Sequence, residues 1–315
     1  MKSCPKQILS KSFELPSEHA AEQGCIGHAS AETTLPRTPL RADIQVLRAI
    51  AVLLVIGFHF WPSFVPGGFV GVDIFFVISG FLITANIVSE IKATGGLRLG
   101  AFWARRARRL LPLAYFVILV TSVIVFVFEP SSRWDAFIRQ AIASTIYYEN
   151  WALIADATDY LAGDAAPTAL QQFWSLSTEE QFYIVWPLLL VGGVMVTRSQ
   201  RRISATLVMA FVIAAVTIAS FALSVVGVGR RDPAAYFSTL SRAWEFGLGG
   251  LVAVRVARRP SLKVSWAPAG VIAALTMTGW ACIGASVVLL KPYTPFPGLW
   301  AALPTAGTAT VLLGA

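Results

Sequence analysis

The chain has 315 residues, of which 56% are hydrophobic and only 13% are charged. Soluble domains carry about 25% charged residues, so this composition excludes an ordinary soluble protein and indicates a polytopic membrane protein. The net charge of +8 does not indicate nucleic-acid binding, because the basic residues lie in short loops between apolar runs, where they set membrane topology.

The first predicted element is a polar tail, residues 1–40, which has no periodic apolar face and is expected to be a disordered cytoplasmic segment. No cleavable signal with a charged and then an apolar region opens the chain, so the first apolar run is expected to act as an uncleaved signal. The rest of the chain, residues 41–315, is predicted to be one all-α transmembrane domain.

Apolar run length predicts a helical bundle with about seven membrane spans and part of an eighth. Segment 136–154 is too polar for a span and is predicted to form a short interfacial or re-entrant helix. Basic residues concentrate in the loops that this count assigns to the cytoplasm, which predicts a cytoplasmic N-terminus. The predicted spans cover residues 45–63, 69–91, 110–128, 178–196, 203–227, 235–256 and 265–290, and the chain stops within the eighth.

The first span carries two ionisable side chains, Arg48 and His59. Their spacing is close to three helical turns, so both lie on one helix face, about 16 Å apart along the axis. An ionisable group at membrane depth costs roughly 2.5–3.5 kcal/mol on insertion scales, which favours a functional role. The alternative is a snorkelling arginine and a core histidine bonded to a neighbouring helix.

The second span begins after a Pro-Gly-Gly turn at residues 66–68 and carries Asp73 in its first turn. This hairpin places Asp73 near the same membrane face as His59. A carboxylate in a first turn also complements the helix dipole, so a purely structural role for Asp73 stays open beside a catalytic one.

A basic cluster in the sequence FWARRARRLLP precedes the third span. It can be a topology anchor, since basic residues collect on the cytoplasmic side. It can also be a phosphate clamp, since guanidinium groups bind phosphate in a bidentate manner. The two roles are compatible, and the residues concerned are Arg105, Arg106, Arg108 and Arg109.

Two later spans also contain charged residues. Before the fourth span, Ser177 is predicted to be an N-cap and Glu180 to complete a capping box, which leaves Glu179 free for another role. In the sixth span, Arg242 and Glu245 are three residues apart on one helix face, where a structural ion pair is as good an interpretation as a functional one.

The predicted topology places His59, Asp73 and both glutamates toward the outer face, and Arg48 and the basic cluster toward the cytoplasm. Histidine is a natural general base near neutral pH, and a carboxylate can orient it. This arrangement suits group transfer from a cytoplasmic phosphorylated donor to an outward-facing hydroxyl. A proton-coupled transporter uses the same residue types and stays open as an alternative.

The motifs of several other site classes are missing from the sequence. It has no nucleophile elbow, no phosphate loop and no His, Cys or Asp cluster with metal-ligand spacing. The three cysteines lack CxxC spacing, which argues against a disulfide framework. We therefore expect no metal and no permanently bound cofactor.

Five segments, in this order, carry a resemblance to a known family. The chain resembles, from about Asp43 to its end, the acyltransferase-3 family of integral membrane acyltransferases, which includes bacterial O-antigen and exopolysaccharide O-acetylases. The resemblance implies a bacterial cytoplasmic-membrane enzyme that moves an acyl group, commonly acetyl, from cytoplasmic acyl-coenzyme A to a hydroxyl of an envelope or exported glycan. The segments are Arg48-x10-His59, GGFVGVDIFFVISGFLI, FWARRARRLLP, FWSLSTEEQFYIVWPLL and RAWEFGLGG.

The resemblance also implies roles for single residues. His59 would be the catalytic histidine, with Arg48 as its motif partner and Asp73 as the family's second-helix aspartate. The four arginines of the basic cluster would lie near the acyl-coenzyme A donor. The two later motifs would supply Trp174, Ser175 and Glu179 or Glu180, and then Arg242, Trp244 and Glu245.

The chain departs from the family pattern in two respects. Many relatives have a histidine just before the motif tryptophan, where this chain has Phe173, preceded by Gln171 and Gln172. Family members usually have more spans, and some continue into a periplasmic SGNH-type hydrolase-like domain. A fragment that lacks its last helices is therefore a further alternative.

Overall fold

The computed structural model describes residues 41–158, 168–197, 204–257 and 268–314. Within these ranges the chain is helical and forms no strand, which confirms the all-α prediction. The predicted tail, residues 1–40, lies outside the described residues, as do many of the basic loop residues behind the topology prediction. The orientation of the bundle in the membrane therefore stays a prediction.

The described ranges contain eleven α-helices, six of which are long and apolar enough to cross a membrane. These six are α1, α2, α3, α6, α7 and α10, so the molecule is a polytopic helical bundle. The helices are α1 (Ala42–Phe60), α2 (Gly71–Thr94), α3 (Leu99–Phe128), α4 (Trp134–Thr145), α5 (Glu149–Thr158), α6 (Phe173–Thr197), α7 (Ala205–Gly229), α8 (Ala234–Phe237), α9 (Thr239–Ala257), α10 (Ala269–Leu289) and α11 (Ala302–Gly314).

The six helices match six of the seven predicted spans. The remaining predicted span corresponds to α9, which is helical but contains Arg242, Glu245 and Arg255. Helix α9 packs mainly against α2 and α7, and its Arg242 and Glu245 are fully buried there, whereas Arg255 near its C-terminal end is exposed. The partial eighth span corresponds to α11, which has 13 residues.

The segment between α3 and α6 differs from its prediction. Two short helices, α4 and α5, replace the single helix expected over residues 136–154. The helix is interrupted between them at Tyr147, whose φ of 55° is left-handed and cannot continue a helix. The apolar composition of this segment gave no sign of the break.

Helix α6 begins earlier than predicted, at Phe173. Ser177 and Glu180 are therefore interior residues, and the predicted N-cap and capping box are wrong. The physical reason is tertiary packing, since Phe173 and Trp174 are both buried and hold the extra turn in helical form.

Helices α2 and α9 cross at close range because both carry glycine at the crossing. A Cβ atom on Gly80 would overlap the carbonyl oxygen of Phe246, and one on Gly249 would overlap the carbonyl oxygen of Val77. Small residues allow such backbone approach between membrane helices. This crossing brings Asp73 of α2 to Arg242 of α9.

Substituting Gly249 by Ala is expected to lower the Tm of the protein in detergent, because the added methyl group forces α2 and α9 apart. Overpacking of this kind costs about 1–3 kcal/mol. Gly284→Ala in α10 is the matched control, since a Cβ there would meet open space, and it should leave the Tm unchanged or slightly raised. Equal Tm values for the two variants would contradict the close crossing.

Candidate active site

A cavity of about 450 Å³ lies at the C-terminal end of α1. His59 from α1, Trp174 and Ser175 from α6, and Tyr236 from α8 all line it. The structure thus brings together three residues that the family resemblance had assigned to the site. The other lining residues are Val55, Phe58, Phe69, Val72, Thr168, Gln171, Gln172 and Phe237.

The orientation of the His59 ring is set by its own helix. Nδ1 of His59 lies 2.8 Å from the carbonyl oxygen of Val55. A carbonyl oxygen only accepts hydrogen bonds, so Nδ1 donates its proton to it, and Nε2 is the nitrogen left to accept a proton from another group. Asp73 and Glu179, the carboxylates expected to orient this ring, instead bind Arg242 and Arg106.

Arg48 lies on α1 with His59, as predicted, but it does not line the cavity. Its side chain is partly exposed and makes no hydrogen bond or ion pair to a residue in the described ranges. The structure therefore keeps the two motif residues on one helix without bringing them into one site.

Asp73, Arg242 and Glu245 form a fully buried ion cluster. Nη1 of Arg242 donates to Oδ1 of Asp73 at 3.0 Å and to Oε1 of Glu245 at 2.7 Å. The predicted Arg242–Glu245 pair is confirmed, and Asp73 joins it from another helix. One guanidinium compensates one carboxylate, so the cluster is electrically neutral when the two carboxyl groups hold one proton between them.

Four aromatic rings surround the guanidinium of Arg242, with their centroids 5.4–5.6 Å from it. Contacts of this kind stabilise a desolvated cation. Two of the rings also line the cavity, so the ion cluster lies directly behind the cavity wall. The four rings belong to Phe76, Trp174, Tyr236 and Phe296.

Trp244 has no comparable place at the cavity. It is buried on α9, its ring centroid lies 4.9 Å from that of Phe221, and its indole N–H has no partner in the described part of the chain. The structure thus gives Trp244 a packing position.

A second ion cluster joins α3 to α6. Nη2 of Arg106 lies 2.9 Å from Oε1 of Glu179 and 2.7 Å from Oε1 of Glu180, and the guanidinium stacks 3.3 Å over the ring of Tyr183. Ser79 donates to Glu179 at 2.8 Å. The prediction that these glutamates and the basic cluster lie at opposite membrane faces is wrong. Arg106 and the two glutamates each lie about two turns from the N-terminal end of their helix, and their long side chains meet there.

The four arginines of the basic cluster therefore lie in two different environments. Arg105, Arg108 and Arg109 are exposed, and their spacing places them on one helix face, whereas Arg106 turns inward. Arg105 also makes a long ion pair of 3.5 Å with Glu90. Three arginines of the predicted phosphate clamp are accessible, and two carboxylates bind the fourth.

Tyr236 is a residue of the cavity lining that no pattern in the sequence indicated. It lies on the four-residue helix α8, outside the six candidate spans. Burial raises the pKa of Tyr236 to about 12, so its hydroxyl stays protonated at neutral pH and is a hydrogen-bond donor. Within the described ranges, no three His, Cys, Asp or Glu side chains are placed to hold a metal ion.

Comparison with known proteins assigns the chain to a family. A family model described as an acyltransferase domain, Acyl_transf_3, matches residues 41–314. The chain belongs to this family. The resemblance predicted from the five segments is therefore confirmed, and family membership favours an enzyme over the transporter alternative.

Several curated proteins are similar to this acyltransferase-family chain. YrhL of Bacillus subtilis (strain 168) is 38% identical over 209 residues, which are 66% of this chain and 32% of the relative. Peptidoglycan O-acetyltransferase OatA of Listeria monocytogenes is 36% identical over 208 residues, 64% of this chain and 32% of the relative. O-acetyltransferase OatA of Staphylococcus aureus (strain NCTC 8325) is 42% identical over 144 residues, 46% of this chain and 24% of the relative. The chain spans about a third or less of these relatives, and no solved structure matched it.

Proposed function

We propose that this chain is a membrane O-acetyltransferase that moves an acetyl group from cytoplasmic acetyl-coenzyme A to a hydroxyl of a peptidoglycan-type glycan. The observation that carries the proposal is the hydrogen bond from Nδ1 of His59 to the Val55 carbonyl, which leaves Nε2 as the nitrogen available to accept a proton, in a cavity that Trp174 and Ser175 also line. The names of the Listeria and Staphylococcus relatives support acetyl as the group transferred, and that of the Listeria relative supports peptidoglycan as the acceptor.

In the proposed reaction, Nε2 of His59 removes the proton of the acceptor hydroxyl as its oxygen attacks the acetyl carbonyl carbon. A new ester C–O bond forms and the thioester C–S bond breaks. The proton held by the imidazolium then passes to the leaving sulfur, which gives free coenzyme A. The Val55 carbonyl accepts from Nδ1 and stabilises the imidazolium that forms in this step.

The donor phosphates would bind the exposed face of α3 that carries Arg105, Arg108 and Arg109. Guanidinium groups suit the pyrophosphate and 3′-phosphate of coenzyme A. Arg106 would instead position α6, because Glu179 and Glu180 already bind its charge. The proposal includes a bacterial cytoplasmic membrane as the location and a cytoplasmic N-terminus, which the distribution of basic loop residues supports.

The experiment uses purified protein in liposomes, radiolabelled acetyl-coenzyme A and peptidoglycan fragments. Label is expected to enter the glycan. The Arg108→Gln/Arg109→Gln double variant should raise the KM for acetyl-coenzyme A about tenfold or more, since charged hydrogen bonds to phosphate are lost. The control double variant, Arg230→Gln/Arg231→Gln, removes two exposed arginines elsewhere and should leave that KM unchanged. An absence of label in the glycan would overturn the proposed function.

A further inference from the structure

We propose that Asn150, Gln181 and Thr239 are positioning residues for the cavity beside His59, because their side chains hold the short helix α8 against α6. These three residues, called the amide network below, act through the main chain of α8. The catalytic consequence of this role rests on the proposed function, whereas the hold on α8 does not.

Helix α8 depends on other elements for its position. It has four residues, and its turn is closed by a hydrogen bond from the Ser238 N–H to the Ala234 carbonyl oxygen at 2.9 Å. A single helical turn is unfavourable in isolation, so contacts with neighbouring helices must hold it in place. Two aromatic side chains of the cavity lining, Tyr236 and Phe237, lie on this helix. Their placement therefore depends on those contacts.

The amide network reaches the C-terminal end of α8. Nδ2 of Asn150 donates to the Phe237 carbonyl oxygen at 3.2 Å and to Oγ1 of Thr239 at 3.0 Å. Oγ1 of Thr239 donates in turn to Oε1 of Gln181 at 2.6 Å, and Nε2 of Gln181 donates to Oδ1 of Asn150 at 2.9 Å. Each of the three side chains thus bonds to the other two, and the loss of one hydroxyl weakens the whole network.

Gln181 anchors the network to the segment before α6. Its Oε1 also accepts from the indole N–H of Trp151 at 3.0 Å, and its Nε2 also donates to the Tyr147 carbonyl oxygen at 2.8 Å. The amide therefore uses both of its N–H donors and both of its acceptor lone pairs. A partly buried amide with all its partners in place has one orientation, because any other leaves polar groups unpaired at a cost in free energy.

The same helix that carries Gln181 also carries a ring of the cavity wall. Gln181 follows Trp174 by close to two turns of α6, so the two side chains share one helix face. The ring centroids of Tyr236 and Phe237 lie 5.2 and 5.4 Å from that of Trp174. Gln181 thus fixes α8 opposite the ring that its own helix supplies. A shift of α8 would change the shape of the cavity beside His59.

The first measurement is hydrogen–deuterium exchange of the backbone amides of residues 234–239 in the purified protein. Thr239→Val removes the hydroxyl and keeps the shape of the side chain, so these amides should exchange about tenfold faster than in wild type. Thr239→Ser keeps the hydroxyl and should give wild-type exchange. The matched control is Thr84→Val, which removes a buried hydroxyl that accepts from the Trp186 indole at 2.9 Å between α2 and α6. It should leave exchange in α8 unchanged.

The second measurement is steady-state acetyl transfer to peptidoglycan fragments in liposomes. A misplacement of about 1 Å can cost up to about 10²-fold in rate, and α8 borders the cavity, not the exposed arginines of α3. Thr239→Val should therefore raise the KM for the glycan about tenfold and leave the KM for acetyl-coenzyme A unchanged. A simple loss of folded protein would instead lower kcat and leave both KM values unchanged. Thr239→Ser and Thr84→Val should keep both KM values of wild type.

The two measurements separate this inference from the proposed function. Wild-type exchange of α8 in Thr239→Val, or faster exchange with an unchanged KM for the glycan, would overturn the positioning role. An equal rise of that KM in Thr84→Val would overturn it too, because the effect would then be one of general stability. Faster exchange of α8 in Thr239→Val, without acetyl transfer by wild type, would support the hold on α8 and contradict the proposed function.

Discussion

Replacing His59 by Gln is expected to lower the kcat for acetyl transfer about 10²–10⁴-fold, the range that general acid–base catalysis contributes. Glutamine is similar in size and polarity but has no basic nitrogen, so the acceptor hydroxyl would attack without losing its proton first. The KM for a glycan acceptor should change little, because the substitution removes the base and leaves the rest of the cavity lining intact. The measurement is the initial rate of label transfer at saturating donor.

Phe60→Leu is the control for this variant. Phe60 is the next residue on α1 and is 72% exposed on the outside of the bundle, so its substitution should leave the rate within about twofold of wild type. A wild-type kcat in the His59→Gln protein would remove His59 from the chemistry and leave it as a residue of the cavity lining.

Substituting Arg242 by Met is expected to destabilise the protein by about 3–5 kcal/mol, the usual result of removing one partner of a buried ion pair. Methionine fills much of the volume but leaves Asp73 and Glu245 buried without a cation. Both carboxyl groups would then have to take up protons for the helices to stay packed. The measurement is thermal unfolding in detergent, with a fall in Tm of about 10 °C or more.

A second substitution tests whether lost charge compensation is the cause. Adding Asp73→Asn to Arg242→Met removes one of the two carboxyl groups that are left without a cation. The double variant should therefore lose about 1–3 kcal/mol less unfolding free energy than the sum of the two single changes. The control, Glu129→Gln, breaks the exposed Glu129–Arg133 ion pair on the surface. It should cost no more than about 1 kcal/mol because solvent screens that pair. Additive effects of Asp73→Asn and Arg242→Met would show that the two residues do not interact.

Local patterns in the sequence were sufficient to predict the long apolar helices and most of the candidate residues. Apolar run length is a local property, so the spans at α1, α2, α3, α6, α7 and α10 could be predicted, as could the position of Asp73 in the first turn of α2. Helical spacing is local too, and it predicted the Arg242–Glu245 pair correctly. Five motifs in order were sufficient to predict the family.

Which charged residues contact each other depends on how the helices pack. Asp73 and Arg242 are 169 residues apart in the chain, and Arg106 and Glu179 are 73 apart. Periodicity shows which face of a helix a residue occupies but not which helix packs against that face. For this reason the sequence predicted a carboxylate beside His59. In the structure Asp73 binds Arg242 and Glu179 binds Arg106. The His59 ring contacts a backbone carbonyl of its own helix. The cavity wall at Tyr236 arises in the same way, because a tyrosine on a four-residue helix has no periodicity to reveal what it will face.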